Sequence, residues 1–236
     1  MRTAGVGLIR NGELVWTGYF GDQAPGVRAS RTTQFDLGSI TKPVAAETVL
    51  RLAGDGRISL DEPMGALWID PDLVGDNRVY ELTPRMILTH TSGFPNWRNH
   101  LDDGKLAFIN APGEAFGYSG EGFEYLARFV EAKLGRPFPE LVEAEVLGPA
   151  NARDAAFAFK AENLPNVARL VDDETGEWNT RWQYHCLPIQ NRCREDGEYS
   201  AASDMAASVE ALASFLIFAM QGNGLDQAML EDRNRV

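Results

Sequence analysis

Cysteine is scarce in this sequence, which has 236 residues but only Cys186 and Cys193. A structural zinc site needs roughly four ligands, so these two thiols and the neighbouring His185 do not complete one. Both cysteines lie in a polar segment that is typical of a loop. We therefore expect free loop thiols, and a metal site is the less favoured alternative.

Basic residues and long apolar runs are also scarce. Lys and Arg number 22 against 34 Asp and Glu, which gives a formal net charge of −12. Because nucleic acids and anionic membrane surfaces attract Lys and Arg clusters, this balance argues against both as partners. The longest apolar run, ALASFLIFAM at 211–220, is shorter than the roughly 20 residues that cross a bilayer, so we expect no membrane span.

The first ten residues, MRTAGVGLIR, do not contain the long apolar stretch of a secretory signal. We therefore expect the chain to be cytoplasmic, although a full-length relative could be exported. Hydrophobic residues make up 44% of the chain, enough for one good core or two small ones.

Local patterns predict a hairpin followed by helices. Two strand-like runs, 4–10 and 13–19, are separated by Asn11-Gly12, a strong signal for a tight β-turn. Apolar spacing and capping residues predict four helices. They run from about Ser39 to Gly54, from Thr83-Pro84 over a short stretch, from 121 to 134 before Gly135, and from Ser203-Asp204 to Gly222. Residues 151–199 have no clear periodicity and are expected to be irregular.

The stretch FDLGSITKP, residues 35–43, places Ser39 three residues before Lys42 at a predicted helix start. Residues at this spacing lie on one face of a helix. A partly desolvated lysine can take the proton of a serine hydroxyl and so activate it as a nucleophile. This spacing also occurs by chance in many proteins, so an ordinary polar helix start is the alternative.

Two further segments contain candidate catalytic residues. LTHTSGF, residues 88–94, places His90 two residues before Ser92, which allows a histidine-assisted serine. We favour a polar helix end ordered by side-chain hydrogen bonds. In APGEAFGYSGEGF, residues 111–123, Tyr118 lies in a glycine-rich turn, where it is either a general base beside a lysine or a buried aromatic anchor.

Four blocks occur in an order that resembles one enzyme superfamily. They are GSITKP, LTPRMILTHTSGFP, PGEAFGYSGEGFEYLARFVEAKLGRPF and GEYSAASDMAASVEALASFL, spread over roughly residues 5–222. The chain resembles the serine β-lactamase and penicillin-binding protein superfamily, in its class C-like branch. That branch includes D-alanyl-D-alanine carboxypeptidases and family VIII esterases.

The resemblance implies a serine hydrolase that forms an acyl-enzyme and needs no metal or organic cofactor. Ser39 would be the acylated nucleophile, Lys42 its proton partner and Tyr118 the general base. Gly120 and Trp182 are expected to contact the substrate, a small ester, β-lactam or D-alanyl peptide-like molecule. Relatives usually have asparagine where this chain has Gly120, so an ester is favoured over an amide.

The implied fold is α+β and β-lactamase/transpeptidase-like, with a helical domain and an incomplete antiparallel sheet that begins with the N-terminal hairpin. We expect the hairpin in residues 1–36, a mostly helical domain in 37–200, and a helix leading back to the sheet in 201–236. The family's third motif, a Lys-Thr-Gly or His-x-Gly type triplet, is not found after residue 200. The chain is therefore expected to be truncated at both ends.

Truncation leaves a second function class open. An inactive member of the family would act, if at all, as a binding or interaction module. An incomplete sheet exposes a strand edge, and such an edge favours self-association.

Overall fold

The computed structural model describes residues 2–172, 174–179, 186–187 and 192–234. The α-helices within these ranges are α1 (Thr41–Gly54), α2 (Pro84–Leu88), α3 (Gly120–Leu134), α4 (Phe138–Val142), α5 (Val209–Gln221) and α6 (Gln227–Arg233). The strands are β1 (Thr3–Arg10), β2 (Glu13–Ala24), β3 (Val27–Arg28), β4 (Phe35–Asp36), β5 (Ala155–Ala156), β6 (Cys186–Leu187), β7 (Arg192–Cys193) and β8 (Ala206–Ala207). Short 3-10 turns and one π-helical turn, Glu143–Leu147, connect them.

The predicted hairpin is confirmed. Strands β1 and β2 pair in antiparallel register, with Arg10 opposite Glu13 at the turn end. Asn11 and Gly12 have φ values of 52° and 78°, the left-handed pair that a two-residue primed turn requires. Asparagine and glycine tolerate this conformation best, which explains why this dipeptide predicted the turn.

The chain divides into two compact units. The first unit comprises Met1–Thr41, Val146–Ser200 and Asp204–Asn223, and it contains all of the described strands. Its larger sheet has the order β1-β2-β3, and a smaller one has the order β4-β8-β5. Helix α5 packs on β1. A Cβ on Gly7 would lie only 3.0 Å from a methyl group of Val209, so glycine at this position lets the helix approach closely.

The second unit comprises Lys42–Glu145, Ala201–Ser203 and Gly224–Val236, and it is helical. Its core consists of large apolar side chains that are almost fully buried; they include Leu52, Met64, Leu82, Ile87, Phe94, Leu126, Phe129, Phe138 and Leu141. Arg85 of α2 forms an ion pair with Asp232 of α6 at 2.8 Å, which attaches the last helix to this unit. The segment 37–200, which the sequence predicted as one domain, is divided between the two units, because 37–41 and 146–200 belong to the first and 42–145 to the second.

The predicted helices after Ser39, after Thr83 and before Gly135 are confirmed. The predicted start of the last long helix is wrong, because α5 begins after its N-cap Ser208 rather than near Ser203. Residues 206–207 form β8, whose partners are β4 and β5. Those partners lie far away in the sequence, so no local pattern revealed the strand.

The expectation of free loop thiols is wrong for Cys193, which is disulfide-bonded. Its partner in the antiparallel β6–β7 ladder is Cys186. His185, the third residue of the alternative metal site, lies outside the described residues.

The predicted fold class is confirmed, because helices combine with small antiparallel sheets in an α+β arrangement. Among the described residues, no helix is both long enough and apolar enough to cross a membrane.

Candidate active site

Ser39 is exposed at the centre of a 3-10 turn that directly precedes α1. Gly38 has a φ of 49°, and its N–H donates to Oδ1 of Asp36 at 3.0 Å. The buried Thr41 hydroxyl donates to the Gly38 carbonyl at 2.7 Å and accepts the Met205 N–H at 3.0 Å. These bonds fix the backbone on both sides of the serine.

Lys42, three residues later, belongs to the second unit and is only 4% exposed. Its Nζ donates to the carbonyl of Ala202 at 3.0 Å and lies 4.7 Å from the centre of the Tyr118 ring. The Phe123 ring centre is 5.9 Å away. Ammonium–aromatic attraction is strongest where water is excluded, so a carbonyl and two rings help to stabilise this buried cation.

Tyr118 immediately precedes the N-terminus of α3, and 43% of the residue is exposed. Its neighbour Ser119 caps the helix, because Oγ accepts the Gly122 N–H at 2.9 Å and donates to the Pro95 carbonyl at 2.7 Å. The cap fixes the backbone next to Tyr118 while the phenol stays accessible. The structure therefore brings two of the candidate residues, Lys42 and Tyr118, close together, whereas Ser39 belongs to the first unit.

Ala202 is a residue that sequence reasoning missed. It is fully buried, its carbonyl accepts from Lys42, and its N–H donates to Oε1 of Glu124 at 3.4 Å. The short segment Ala201–Ser203 is thus held by side chains of α1 and α3. No motif marks Ala202, because it acts through its main chain and any residue type has the same groups.

His90 also contacts this group of residues. The centre of its ring lies 4.5 Å from that of Tyr118, and its Nδ1 accepts the Ser119 N–H at 3.1 Å. Burial, and secondarily the charge of Lys42, lower the pKa of His90, which favours the neutral imidazole. Ser92, by contrast, is fully buried, and its Oγ accepts the Phe94 N–H at 3.2 Å. For Ser92 the expected role in ordering the polar turn is confirmed.

Gly120 is buried as the first residue of α3. A Cβ at this position would lie 2.6 to 2.9 Å from atoms of the Trp97 ring, so the indole occupies the space that a side chain would need. Sequence reasoning missed Trp97 because it lies 23 positions before Gly120. Trp182, the other predicted substrate contact, lies outside the described residues.

The first unit contains a cavity of about 740 Å³. Its lining residues are Arg2, Thr3, Phe35, Asp36, Ala168, Arg169, Leu170, Val171, Asp172, Gly176 and Asn179. Two of the lining residues, Phe35 and Asp36, form strand β4, and Asp36 lies three residues before Ser39 in the sequence.

Solved structures superpose on this chain and show its fold. The penicillin-binding protein from Bacillus halodurans superposes with a TM-score of 0.73 at 21% identity, over 92% of this chain and 68% of that one. EstCE1, described as a hydrolase with promiscuous acyltransferase activity, superposes with a TM-score of 0.76 at 18% identity, over 97% of this chain and 71% of that one. At these identities the likeness shows the β-lactamase/transpeptidase-like fold.

Sequence comparison shows the family. Esterase EstB from Burkholderia gladioli is 30% identical over 183 residues, which are 64% of this chain and 45% of EstB. The chain therefore spans about half the length of this curated relative. A sequence model of the Beta-lactamase family matches residues 1–235. The chain belongs to the Beta-lactamase family.

Proposed function

We propose that this chain contains the acylation machinery of a serine hydrolase that acts on small esters. The observation that carries the proposal is the buried Lys42, whose ammonium lies over the Tyr118 ring at 4.7 Å. Buried cations next to titratable groups are uncommon outside functional sites, because burial of a charge costs free energy. The exposure of Ser39 just before α1 supports its role as the nucleophile.

In the proposed reaction Ser39 Oγ attacks the carbonyl carbon of the ester. The bond between Oγ and the acyl carbon forms, and the bond between that carbon and the alkoxy oxygen breaks. Tyr118, in its phenolate form, is the base: the Lys42 ammonium passes one proton to the phenolate as it takes up the hydroxyl proton. Tyr118 then delivers a proton to the leaving oxygen, so an alcohol departs. Water then attacks the acyl-enzyme, the acid leaves, and Ser39 regains its proton.

The negative charge on the carbonyl oxygen needs hydrogen-bond donors in the transition state. We assign the backbone N–H of Ser39 as one donor. The positive end of α1 adds to it, since a helix N-terminus favours a developing anion. The second donor is expected from a later strand of the family fold.

An ester is the preferred substrate because the candidate site has glycine at position 120. Gly120 offers no side-chain partner for a substrate amide, and its packing against Trp97 supports a fixed requirement for glycine. A β-lactam or a D-alanyl peptide-like molecule is the less favoured substrate. Gly120 and Trp182 stay predicted substrate contacts.

Hydrolysis of p-nitrophenyl butyrate and of a penicillin tests the proposal. We expect ester turnover that is lost in Ser39→Ala and retained in Ser30→Ala, which removes another exposed serine of the same unit. Ester turnover that survives Ser39→Ala contradicts the assigned nucleophile. A folded chain without turnover of either substrate favours the alternative, an inactive family member that serves as a binding module.

The cytoplasm stays the predicted compartment. The disulfide at Cys193 argues against it, because disulfides persist mainly in oxidising compartments. Fractionation of cells that produce the protein decides between the cytoplasm and an oxidising compartment.

A further inference from the structure

His90 makes two hydrogen bonds to the backbone on either side of Tyr118. Its carbonyl oxygen accepts the N–H of Gly117 at 2.7 Å, and its Nδ1 accepts the N–H of Ser119 at 3.1 Å. The residue before Tyr118 and the residue after it are thus both bonded to one histidine. Because a peptide plane is rigid, fixing both neighbours restricts the position of the Tyr118 Cα and the direction of its side chain.

The backbone conformation of His90 makes this double contact possible. His90 follows α2 and has a φ of 56°, which is uncommon for a residue other than glycine. Its own N–H donates to the Ile87 carbonyl at 3.0 Å, and the next N–H, of Thr91, donates to the Met86 carbonyl at 2.7 Å. The turn at His90 is therefore hydrogen-bonded to α2 on one side and to the backbone next to Tyr118 on the other.

The imidazole also contacts the phenol ring directly. The two ring centres are 4.5 Å apart, with the planes tilted by 35°. The ring centres of Phe123 and Phe116 lie 5.6 Å and 6.0 Å from that of the imidazole. The imidazole of His90 thus lies close to three aromatic rings.

We propose that His90 is the positioning residue of Tyr118 and that it acts as a neutral imidazole with its proton on Nε2. The proposal rests on the proposed function, in which Tyr118 is the general base. An N–H donor from Ser119 requires a lone pair on Nδ1, so only the neutral Nε2–H tautomer can make the observed bond. Lys42 acts in the same direction, because its charge disfavours a second cation beside it.

A pair of variants separates positioning from backbone strain. His90→Gly and His90→Asn both tolerate a positive φ, but only asparagine places an acceptor oxygen near the position of Nδ1. Thr91→Val is the control in the same turn, because it removes a hydroxyl that bonds only to Thr89 and the Met86 carbonyl among the described contacts.

The readout is the rate of Ser39 labelling by a fluorophosphonate, measured across pH. Because a small displacement of a catalytic group can cost about a hundredfold in rate, we expect His90→Gly to slow labelling by roughly tenfold or more. His90→Asn should stay within about threefold of the wild type, since it restores the acceptor. Thr91→Val should match the wild type.

Labelling of His90→Gly at the wild-type rate would overturn the proposal. So would equal slowing in His90→Gly and His90→Asn, because the acceptor would then make no difference.

A second measurement keeps this inference separate from the proposed function. In protein labelled with ¹³C at tyrosine Cζ, the resonance that disappears in Tyr118→Phe reports the surroundings of that phenol. Both variants lose the imidazole ring beside the phenol, so we expect the resonance to move in both. It should move further in His90→Gly, which also lacks an acceptor for the Ser119 N–H, and equal movement in the two variants would count against the positioning role. If the wild type is not labelled at Ser39 but the resonance behaves in this way, the proposed function fails while the positioning role stands. An unchanged resonance in His90→Gly overturns the positioning role.

Discussion

At the scale of single residues, the buried ammonium of Lys42 is the feature that most needs an explanation. Lysine is almost never fully buried unless it has a partner, because its charge loses hydration. Here the Ala202 carbonyl and the rings of Tyr118 and Phe123 offset part of that cost. The proposed proton-transfer role would explain a lysine at a position where an apolar side chain costs less free energy.

Replacing Lys42 by methionine tests that role. Methionine has similar length, so packing is retained, while proton transfer to and from Ser39 is lost. Since general acid–base groups typically contribute about 10²- to 10⁴-fold, we expect ester turnover to fall by at least about a hundredfold. Lys105→Met, at an exposed lysine of the same unit, is the control and should leave turnover unchanged. Equal turnover in both variants would remove Lys42 from the mechanism.

The protonation state of His90 leads to a prediction about pH and stability. Burial and Lys42 lower its pKa below the ordinary 6.5 in the folded chain. The neutral side chain therefore stabilises the fold above pH 6.5, and this contribution is lost as the pH falls through the lowered pKa.

Urea unfolding between about pH 5 and pH 8 measures this effect, since histidine titrates in that range. We expect the free energy of unfolding to fall less steeply with decreasing pH in His90→Asn than in the wild type. Identical pH dependence in the two proteins would show that His90 does not contribute.

At the scale of elements, the N-terminus of α3 is the part of the site whose packing is most restrictive. Gly120→Ala should destabilise the unit by about 1 to 3 kcal/mol, because its Cβ would overlap the Trp97 ring. Gly117→Ala is the matched control, since a Cβ there meets nothing within 4 Å. Urea unfolding of both variants checks the difference. Equal stability would mean that Trp97 moves aside freely.

The accuracy of the sequence predictions also differed between elements. The hairpin turn at Asn11-Gly12 and the end of α3 at Gly135 were predictable from the sequence. Both depend on the left-handed backbone conformation that glycine and asparagine adopt readily, which is a property of the residues at those positions. Strand β8 was not predictable, because distant strands define it. Lys42 and Tyr118 could be named as site candidates because local motifs contain them, whereas Ala202, which contacts Lys42 through its main chain, was missed.

At the scale of the whole molecule, one face of the larger sheet is apolar and exposed. Val6, Leu8, Trp16 and Phe20 are each 45 to 53% exposed, and we call these four residues the outer sheet face. Among the described residues, β1 has a strand partner on one side only, so its other edge offers unpaired backbone groups. Exposed edges and apolar faces of this kind favour association.

We predict that this chain self-associates through the β1 edge and the outer sheet face. Val6→Lys should shift the chain toward monomer in sedimentation velocity experiments, because a charged edge strand opposes pairing. Val74→Lys replaces another exposed valine, 76% exposed, in the other unit and should leave association unchanged. A wild-type chain that is monomeric at every concentration would contradict this prediction.

The central claim is that a chain spanning 45% of the length of esterase EstB forms a reactive serine site. The measurement that tests it most directly is intact-mass spectrometry after exposure to a fluorophosphonate and, separately, a penicillin. We predict a single fluorophosphonate adduct on the native chain and none on Ser39→Ala. No adduct on a native chain that unfolds cooperatively, or an adduct that persists in Ser39→Ala, would contradict it.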